Sequence, residues 1–299
     1  MLSLHTNNAA LSAQNSLGRT QSTLSTSMTR LSTGFRINSA SDDAAGLQIA
    51  TRLKTQTSGM NVAMRNTQNS ISMLQTAEGA LSETTSILTR MKDLATQAAD
   101  GSSTEKDQTA MQAEFNSLTA ELSNIMGNTS FGGTKLFSGT DAKLSKGAVD
   151  FQIGASSAEK MSLDISGSDD DTKGIANMHK LIGEAATQFK SDGADGDFSS
   201  NDELSAAKAN ETIDNLNDAI ESVSSVRSSL GAAANRLDHV NNNLSNISTN
   251  TKNATGRIMD VDFATESASM TSNQMLLQAG TAMLKQSNSQ ASLVMSLLQ

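Results

Sequence analysis

Few side chains in this chain have the type and spacing that chemistry requires. The three histidines, His5, His179 and His239, fall in three separate segments, and no HExxH spacing or Ser/His/Asp grouping forms around them. Each reads as a polar-face or seam residue. Gly132-Gly133-Thr134-Lys135 lacks the spacing of a loop that cradles phosphate and reads as a turn. Asp192 and Glu203 stand at positions 1 and 12 of an EF-hand count, with Asp195 and Asp197 between them. Positions 3 and 5 of that count, Ala194 and Gly196, bring no side-chain oxygen, and Asp197 occupies position 6, where the turn needs Gly. The stretch therefore reads as a solvated acidic loop. No catalytic, cofactor-binding or metal-ligating residue is nominated, and neither an enzyme nor a cofactor is expected.

What remains is a chain built for helix pairing. It has 299 residues with no Pro, Cys, Trp or Tyr and only eight Phe, so a conventional aromatic core is out of reach. Without Pro no helix is obliged to kink, and without Cys there is no disulfide framework or thiolate chemistry. The hydrophobic content is Ala, Leu, Ile, Val and fifteen Met. Met at heptad spacing reads as core packing in narrow seams, not as an adaptable peptide groove. The formal net charge of −9 argues against nucleic-acid and anionic-membrane partners. Between Glu159 and Glu203 stand 11 acidic residues and 4 lysines, so that window must be solvated. No stretch approaches the ~18 apolar residues of a membrane span, so no membrane insertion is expected. The first residues carry no basic and apolar leader pattern, and the expectation is a chain without a cleaved secretory signal.

The periodicity predicts the elements. A first helix covers 4–33 and ends at Gly34, a natural left-handed stop. Ser41 is expected to cap a long helix to about Ala99, with seam Leu53, Met60, Leu74, Leu81, Leu88 and Ala95. Gly59 and Gly79 each cost that helix roughly 1 kcal/mol relative to Ala. Thr104 caps a shorter helix, with Met111, Phe115, Leu118, Leu122 and Ile125 inward and Gly127 as its end. Alternation at 149–153 and 161–165 predicts a hairpin within about 131–166. An acidic loop with a short helix at Ile175–Phe189 fills about 167–202. Helix returns from Asp202 to Ala254, with Leu216, Val223, Leu230, Leu237 and Leu244 seven apart, and Gly256 is expected to break it.

The last stretch, Met259 to Gln299, repeats Phe263, Met270, Leu277, Leu284, Ala291 and Leu298 at seven-residue intervals. Its other faces are Ser, Thr, Asn and Gln, with only Asp260, Asp262, Glu266 and Lys285 charged. Leu17, Leu24, Met28, Leu31 and Phe35 repeat the style near the start. The two ends read as unfinished coils waiting for one another or for other copies, each burying too little alone to offset chain entropy, which predicts that they order only on assembly. The predicted fold is mainly α: an elongated antiparallel coiled-coil helical bundle with a small β-hairpin region at its tip. Residues 1–43 with 258–299 are expected to form a terminal coiled-coil domain, and 44–257 the bundle.

Particular residues add a resemblance. Arg30-Leu31-Ser32-Thr33-Gly34-Phe35-Arg36-Ile37-Asn38-Ser39-Ala40, followed by Asp42-Asp43-Ala44-Ala45-Gly46, closely resembles the N-terminal signature of bacterial flagellins. Asn61–Asn66 and Gln75–Leu81 resemble the same family, as do Asn235-Arg236-Leu237, Asp260–Glu266 and Gln278-Ala279-Gly280-Thr281 in the second half. The resemblance covers about 1–165 and 205–299. The tail departs from it by lacking a proline before the final Leu-rich motif and by ending in Gln.

The resemblance implies a secreted subunit of the extracellular flagellar filament, a self-assembling homopolymer used for motility. It implies polymerisation through the seam of Leu17, Leu24, Met28, Leu31, Phe35, Phe263, Met270, Leu277, Leu284 and Leu298. Type III export, a secretion chaperone on the C-terminal segment, and filament-cap and hook-junction partners are implied with it. The chain would be a short form with little or no outer domain. Leu88–Gln97 resembles the segment read by the animal flagellin-sensing Toll-like receptor, which implies contacts at Arg90, Leu94, Gln97 and Glu114; Thr89 departs from the usual Gln. A hook–filament junction protein shares such termini and is the alternative. A coiled-coil secreted effector is a further one, predicting host or membrane binding without self-assembly.

Overall fold

The computed structural model describes residues 7–138, 142–167, 174–187 and 206–297. The chain runs α1 (Asn8–Thr33), α2 (Ala44–Ala99), α3 (Glu105–Asn128), β1 (Ser130–Phe131), β2 (Thr134–Lys135), β3 (Val149–Gln152), β4 (Lys160–Leu163), α4 (Gly174–Thr187), α5 (Ala206–Met259) and α6 (Phe263–Leu297). It is mainly α, as the periodicity predicts, with two separate two-stranded antiparallel sheets. Two compact units form: a terminal unit of 1–57 with 248–299, and a central unit of 58–247. Among the described residues no helix is long and apolar enough to cross a membrane.

In the terminal unit α1 stops where Gly34 adopts φ 76° and its N–H donates to the Arg30 carbonyl. The left-handed conformation turns the chain out of the helix after that bond, and Gly enters it without a Cβ penalty. The link that follows is tied by Asp42, whose carboxylate accepts from the Asn38 and Ser39 amides at 3.0 and 2.9 Å. Those backbone donors, Ser39 foremost, hold its carboxyl below the usual range. The cap of α2 is Asp43, not Ser41: its Oδ1 accepts from the Gly46 amide at 2.8 Å. Ser41 instead spends its hydroxyl on Ser39.

Helix α5 continues through Gly256 to Met259, five residues past the expected end. A single Gly costs only about 1 kcal/mol in a helix. What stops α5 is pairing: Phe35 and Asp260 form an isolated bridge, flanked by Arg36 N–H to Met259 O at 2.6 Å and Val261 N–H to Gly34 O at 3.0 Å. Asp262 then caps α6, accepting from the Ala264 amide and the Thr265 hydroxyl.

The central unit has one large core. Helix α2 contributes Leu74, Ala77, Leu81, Leu88, Met91, Ala95 and Ala98; α5 contributes Leu216, Val223, Val226, Leu230, Ala233 and Leu237, all buried. Ile213 and Ile220, apolar and three or four residues from those positions, are half-buried; Thr212 and Ala219 take the inward positions. On α3 the capping box at Thr104 and Asp107 forms, and Met111, Phe115 and Leu122 face inward with Thr119 and Met126. Leu118 and Ile125 are half-buried, and Gly127 is helical, with Thr129 as the cap.

The hairpins close one side of that core. Gly132 and Gly133, with φ 58° and 81°, supply the two left-handed residues of a two-residue turn joining β1 to β2. In the second hairpin Phe151 pairs with Met161, both buried, while Asp150 and Ser162 face outward. Alternation across the pleat selects which face meets the core. Helix α4 begins at Gly174 and packs Ile175, Met178, Ile182 and Ala185 inward.

The two interior glycines of α2 differ. A Cβ at Gly59 would lie 2.7 Å from Ala155 Cβ and 3.2 Å from Ala155 Cα, on the loop between β3 and β4, whereas Gly79 faces open space. Gly79→Ala should therefore raise stability by about 1 kcal/mol, and Gly59→Ala should lower it through overpacking. Urea unfolding of the two variants checks this; equal gains would refute the close approach at Gly59.

Candidate assembly surface

The seam between α1 and α6 is built from two interleaved heptads on each helix. On α1, Leu17, Leu24 and Leu31 alternate with Ala13, Thr20 and Ser27, and these six are the buried or half-buried positions of that stretch, with Arg30 beside them. On α6, Met270, Leu277 and Leu284 alternate with Glu266, Asn273, Gly280 and Ser287. Large side chains thus take one position and small or polar ones the other.

The helices pack so that large meets small. Leu17 sits over Gly280, where an added Cβ would lie 2.8 Å from Leu17 Cδ1. Carried along the antiparallel pair at the same register, Thr20 stands opposite Leu277, Leu24 opposite Asn273, Ser27 opposite Met270 and Ala13 opposite Leu284. Among the described helices, α1 and α6 are the pair whose Cα atoms repeatedly come within 8 Å of each other. Interaxial distance follows side-chain size at the contact, so this closeness needs the small residues.

Polar groups lock the register at both ends. Asn7 caps α1 by accepting from the Ala10 amide, and donates Nδ2 to Ser287 O at 3.2 Å and Ser287 Oγ at 3.1 Å. Near the other end Arg30 and Glu266 pair at 3.7 Å, with 29% and 15% of their side chains exposed. The two termini are thus mates within one chain, helical and paired, where the sequence expects ends that order only on assembly. The close register supplies the contact that the hydrophobic positions alone do not.

The nominated seam residues separate into two sets. Leu17, Leu24, Leu31, Met270, Leu277 and Leu284 face the intramolecular seam, whereas Met28, Phe35 and Phe263 are exposed. Leu298 lies outside the described residues, as does the acidic count at Asp192, Asp195, Asp197 and Glu203. Leu11, Met275, Leu276 and Met283 were not nominated, and all are exposed. They fall off the strict seven-residue interval, and a second apolar stripe beside the first is the signal that finds them.

Among the described residues, eight of the ten exposed large apolar side chains belong to the terminal unit. That unit fully buries, among the described residues, only Leu24, Ile37 and Ala50 of its apolar side chains. Exposed apolar patches of this kind beside a small core are a feature of interaction surfaces. Among the described residues no cluster of His, Cys, Asp and Glu could hold a metal ion.

The four residues nominated for receptor contact lie in the central unit. Arg90 and Glu114 form a two-point pair, Nη2 and Nε reaching Oε1 at 2.6 and 2.9 Å, on the surface where solvent screens it. Gln97 is exposed, and Leu94 is buried in the core. His239 is exposed on α5, and His5 is outside the described residues. His179 lines a cavity of about 110 Å³ with Leu122, Ser123, Met126, Ser138 and Ile182. Its Nε2 is buried without a hydrogen-bond partner, and burial pushes the imidazole below its ordinary value of 6.5.

Residues 4–142 match the family model of the bacterial flagellin N-terminal helical region, and 213–298 match that of the C-terminal helical region, together about three quarters of the chain. Polar flagellin B/D of Vibrio parahaemolyticus is 45% identical over 190 residues, covering 64% of this chain and 47% of that protein. B-type flagellin of Pseudomonas aeruginosa is 48% identical over 164 residues, covering 55% of this chain and 33% of that protein. The alignments thus span less than half of these relatives' lengths. A solved structure assigned provisionally as a flagellar hook-associated protein from Vibrio parahaemolyticus covers 73% of this chain and all of its own, with TM-score 0.53 and 20% identity, a likeness of fold alone.

Two outcomes test the geometry. Leu24→Ala should destabilise the α1–α6 pair by about 2–3 kcal/mol, seen as faster hydrogen exchange of α1 amides with those of 58–247 unchanged. Unchanged exchange in α1 would refute the seam. For His179, the unfolded chain binds a proton at higher pH than the fold does, so stability falls as pH drops through 6.5. His179→Phe should flatten that fall in thermal unfolding followed by circular dichroism; an unaltered profile would place its cause elsewhere.

Proposed function

The chain belongs to the bacterial flagellin family, and we propose that it is a structural subunit that polymerises through its terminal helices into the extracellular flagellar filament used for motility. The observation that carries this reading is the imbalance of the terminal unit, whose exposed large apolar side chains outnumber its buried ones. A contact that is head-to-tail and does not close on itself propagates as a helix, and many copies then bury the same stripe. Leu11, Met28, Phe35, Phe263, Met275, Leu276 and Met283 meet neighbouring subunits in this scheme. The α1–α6 seam gives them a defined surface on which to stand.

The same reading extends to partners. A secretion chaperone covers the C-terminal apolar segment before export, and cap and hook-junction proteins meet the terminal unit at the ends of the filament. Arg90, Leu94, Gln97 and Glu114 form a contact for an animal Toll-like receptor. With Leu94 in the core, its part there is to hold the exposed residues in place.

Heating the purified protein, cooling it with filament seeds and viewing it by electron microscopy tests the proposal. Long hollow filaments are expected. A protein that stays monomeric, or caps seeds without extending them, would instead be a junction-type subunit. Leu277→Ala and Leu284→Ala should leave the central unit folded and lower filament yield several-fold, each losing about 2 kcal/mol or more of seam packing. Wild-type yield from both would sink the assignment of that seam to assembly.

A further inference from the structure

Most described methionines of this chain are sorted by environment, with Met64, Met259 and Met270 half-buried between the two groups. Met60, Met73, Met91, Met111, Met126, Met161 and Met178 are buried, all in the central unit. Met28, Met275 and Met283 are 49%, 60% and 67% exposed, all in the terminal unit. Met28 stands on α1, and Met275 and Met283 on α6, outside the α1–α6 seam. Leu276 and Ala279 are exposed beside the latter two.

We infer that Met28, Met275 and Met283 are sites of reversible oxidation by peroxide-class oxidants, and that their sulfoxides block self-assembly. The inference rests on the proposal that this apolar face is buried between subunits. A thioether reacts through its sulfur lone pair, so reactivity follows access to solvent. The sulfur attacks one peroxide oxygen and forms an S–O bond while the O–O bond breaks. After proton transfer the products are methionine sulfoxide and water, the sulfur losing two electrons and the peroxide gaining them.

The product changes the surface in kind. A flexible apolar side chain becomes a polar acceptor, and burying an acceptor without a donor opposes association. Leu276 and Ala279 beside Met275 and Met283 supply no donor side chain; Thr271, Ser272, Gln278 and Gln286, within one turn of them, do, so the main effect of the sulfoxide is the apolar contact it removes. A buried methionine is spared by its packing, so the central unit stays folded while the assembly face is altered. Assembly in turn covers the three sulfurs, so sensitivity belongs to the free subunit and protection to the polymer. Reduction of the sulfoxide by a thiol-dependent reductase forms a disulfide in the reductant and water, and restores the face.

The experiment treats purified monomer with hydrogen peroxide, removes the excess with catalase, and maps added oxygen by peptide mass spectrometry. Oxygen at Met28, Met275 and Met283 ahead of the seven buried methionines is expected; uniform oxidation overturns the inference. Seeded polymerisation follows, beside untreated protein. A critical concentration raised about tenfold is expected, whereas oxidised protein assembling like the control overturns it. Failure of the untreated control to polymerise counts against the proposed function instead.

A variant carrying Met28→Leu, Met275→Leu and Met283→Leu retains Met1 and Met295, whose side chains lie outside those described. It should assemble as wild type and keep assembling after peroxide; loss of its assembly on treatment overturns the assignment to these three. If the variant does not assemble untreated, preformed wild-type filaments decide. Protection of the three sulfurs relative to monomer supports the inference, and oxidation at the monomer's rate refutes it.

Discussion

The terminal unit depends on how closely α1 and α6 approach, and side-chain size at alternating seam positions decides that distance. Leu17 over Gly280 is the contact that shows the rule: a large side chain fits only because the residue opposite has none. The same alternation runs through Thr20, Ser27 and Ala13 on one helix and Asn273 and Ser287 on the other. A shift of register that set leucine against leucine would push the backbones apart and unseat the Asn7–Ser287 and Arg30–Glu266 pairs together. Register and distance are therefore one constraint.

That constraint has a cost in core size. Small residues let backbones close up, but they bury little apolar area, so the pair gains less from the hydrophobic effect than the central helices do. The central unit takes the opposite solution, with Leu, Met, Ile and Phe from α2, α3, α4 and α5 sharing one core with the hairpins. Beyond its seam, the terminal unit turns further apolar residues outward, at Met275, Leu276 and Met283. The proposed function gives this division a use, with one unit stable by its own core and another completed by its neighbours.

Much of this was legible in the chain. The apolar repeats placed the long helices, the switch to alternation placed β3 and β4, and Gly34 and Thr104 marked ends that the structure retains. Errors arose where a local signal met a tertiary one. Gly256 looked like a stop, but the stop was imposed later by the bridge between Phe35 and Asp260. Ser41 and Asp43 were both competent caps, and only the fold of the link around Asp42 chose between them. In α3 and α5 the inward face was rotated slightly from the most hydrophobic one, with Thr119 and Thr212 buried and Leu118 and Ile213 half-buried.

The sequence by itself determined the class of structure: helices, their approximate lengths, one hairpin region, and two ends of matching style. It did so because side-chain periodicity follows from backbone geometry, which is local. Its heptad marked Met270, Leu277 and Leu284 as a seam, but it could not give the register and closeness at which they meet α1. Only the tertiary structure decided those, since they turn on Asn273, Gly280 and Ser287. Those residues carry no hydrophobic signal, and they matter through the space they leave for Leu24, Leu17 and the chain around Asn7.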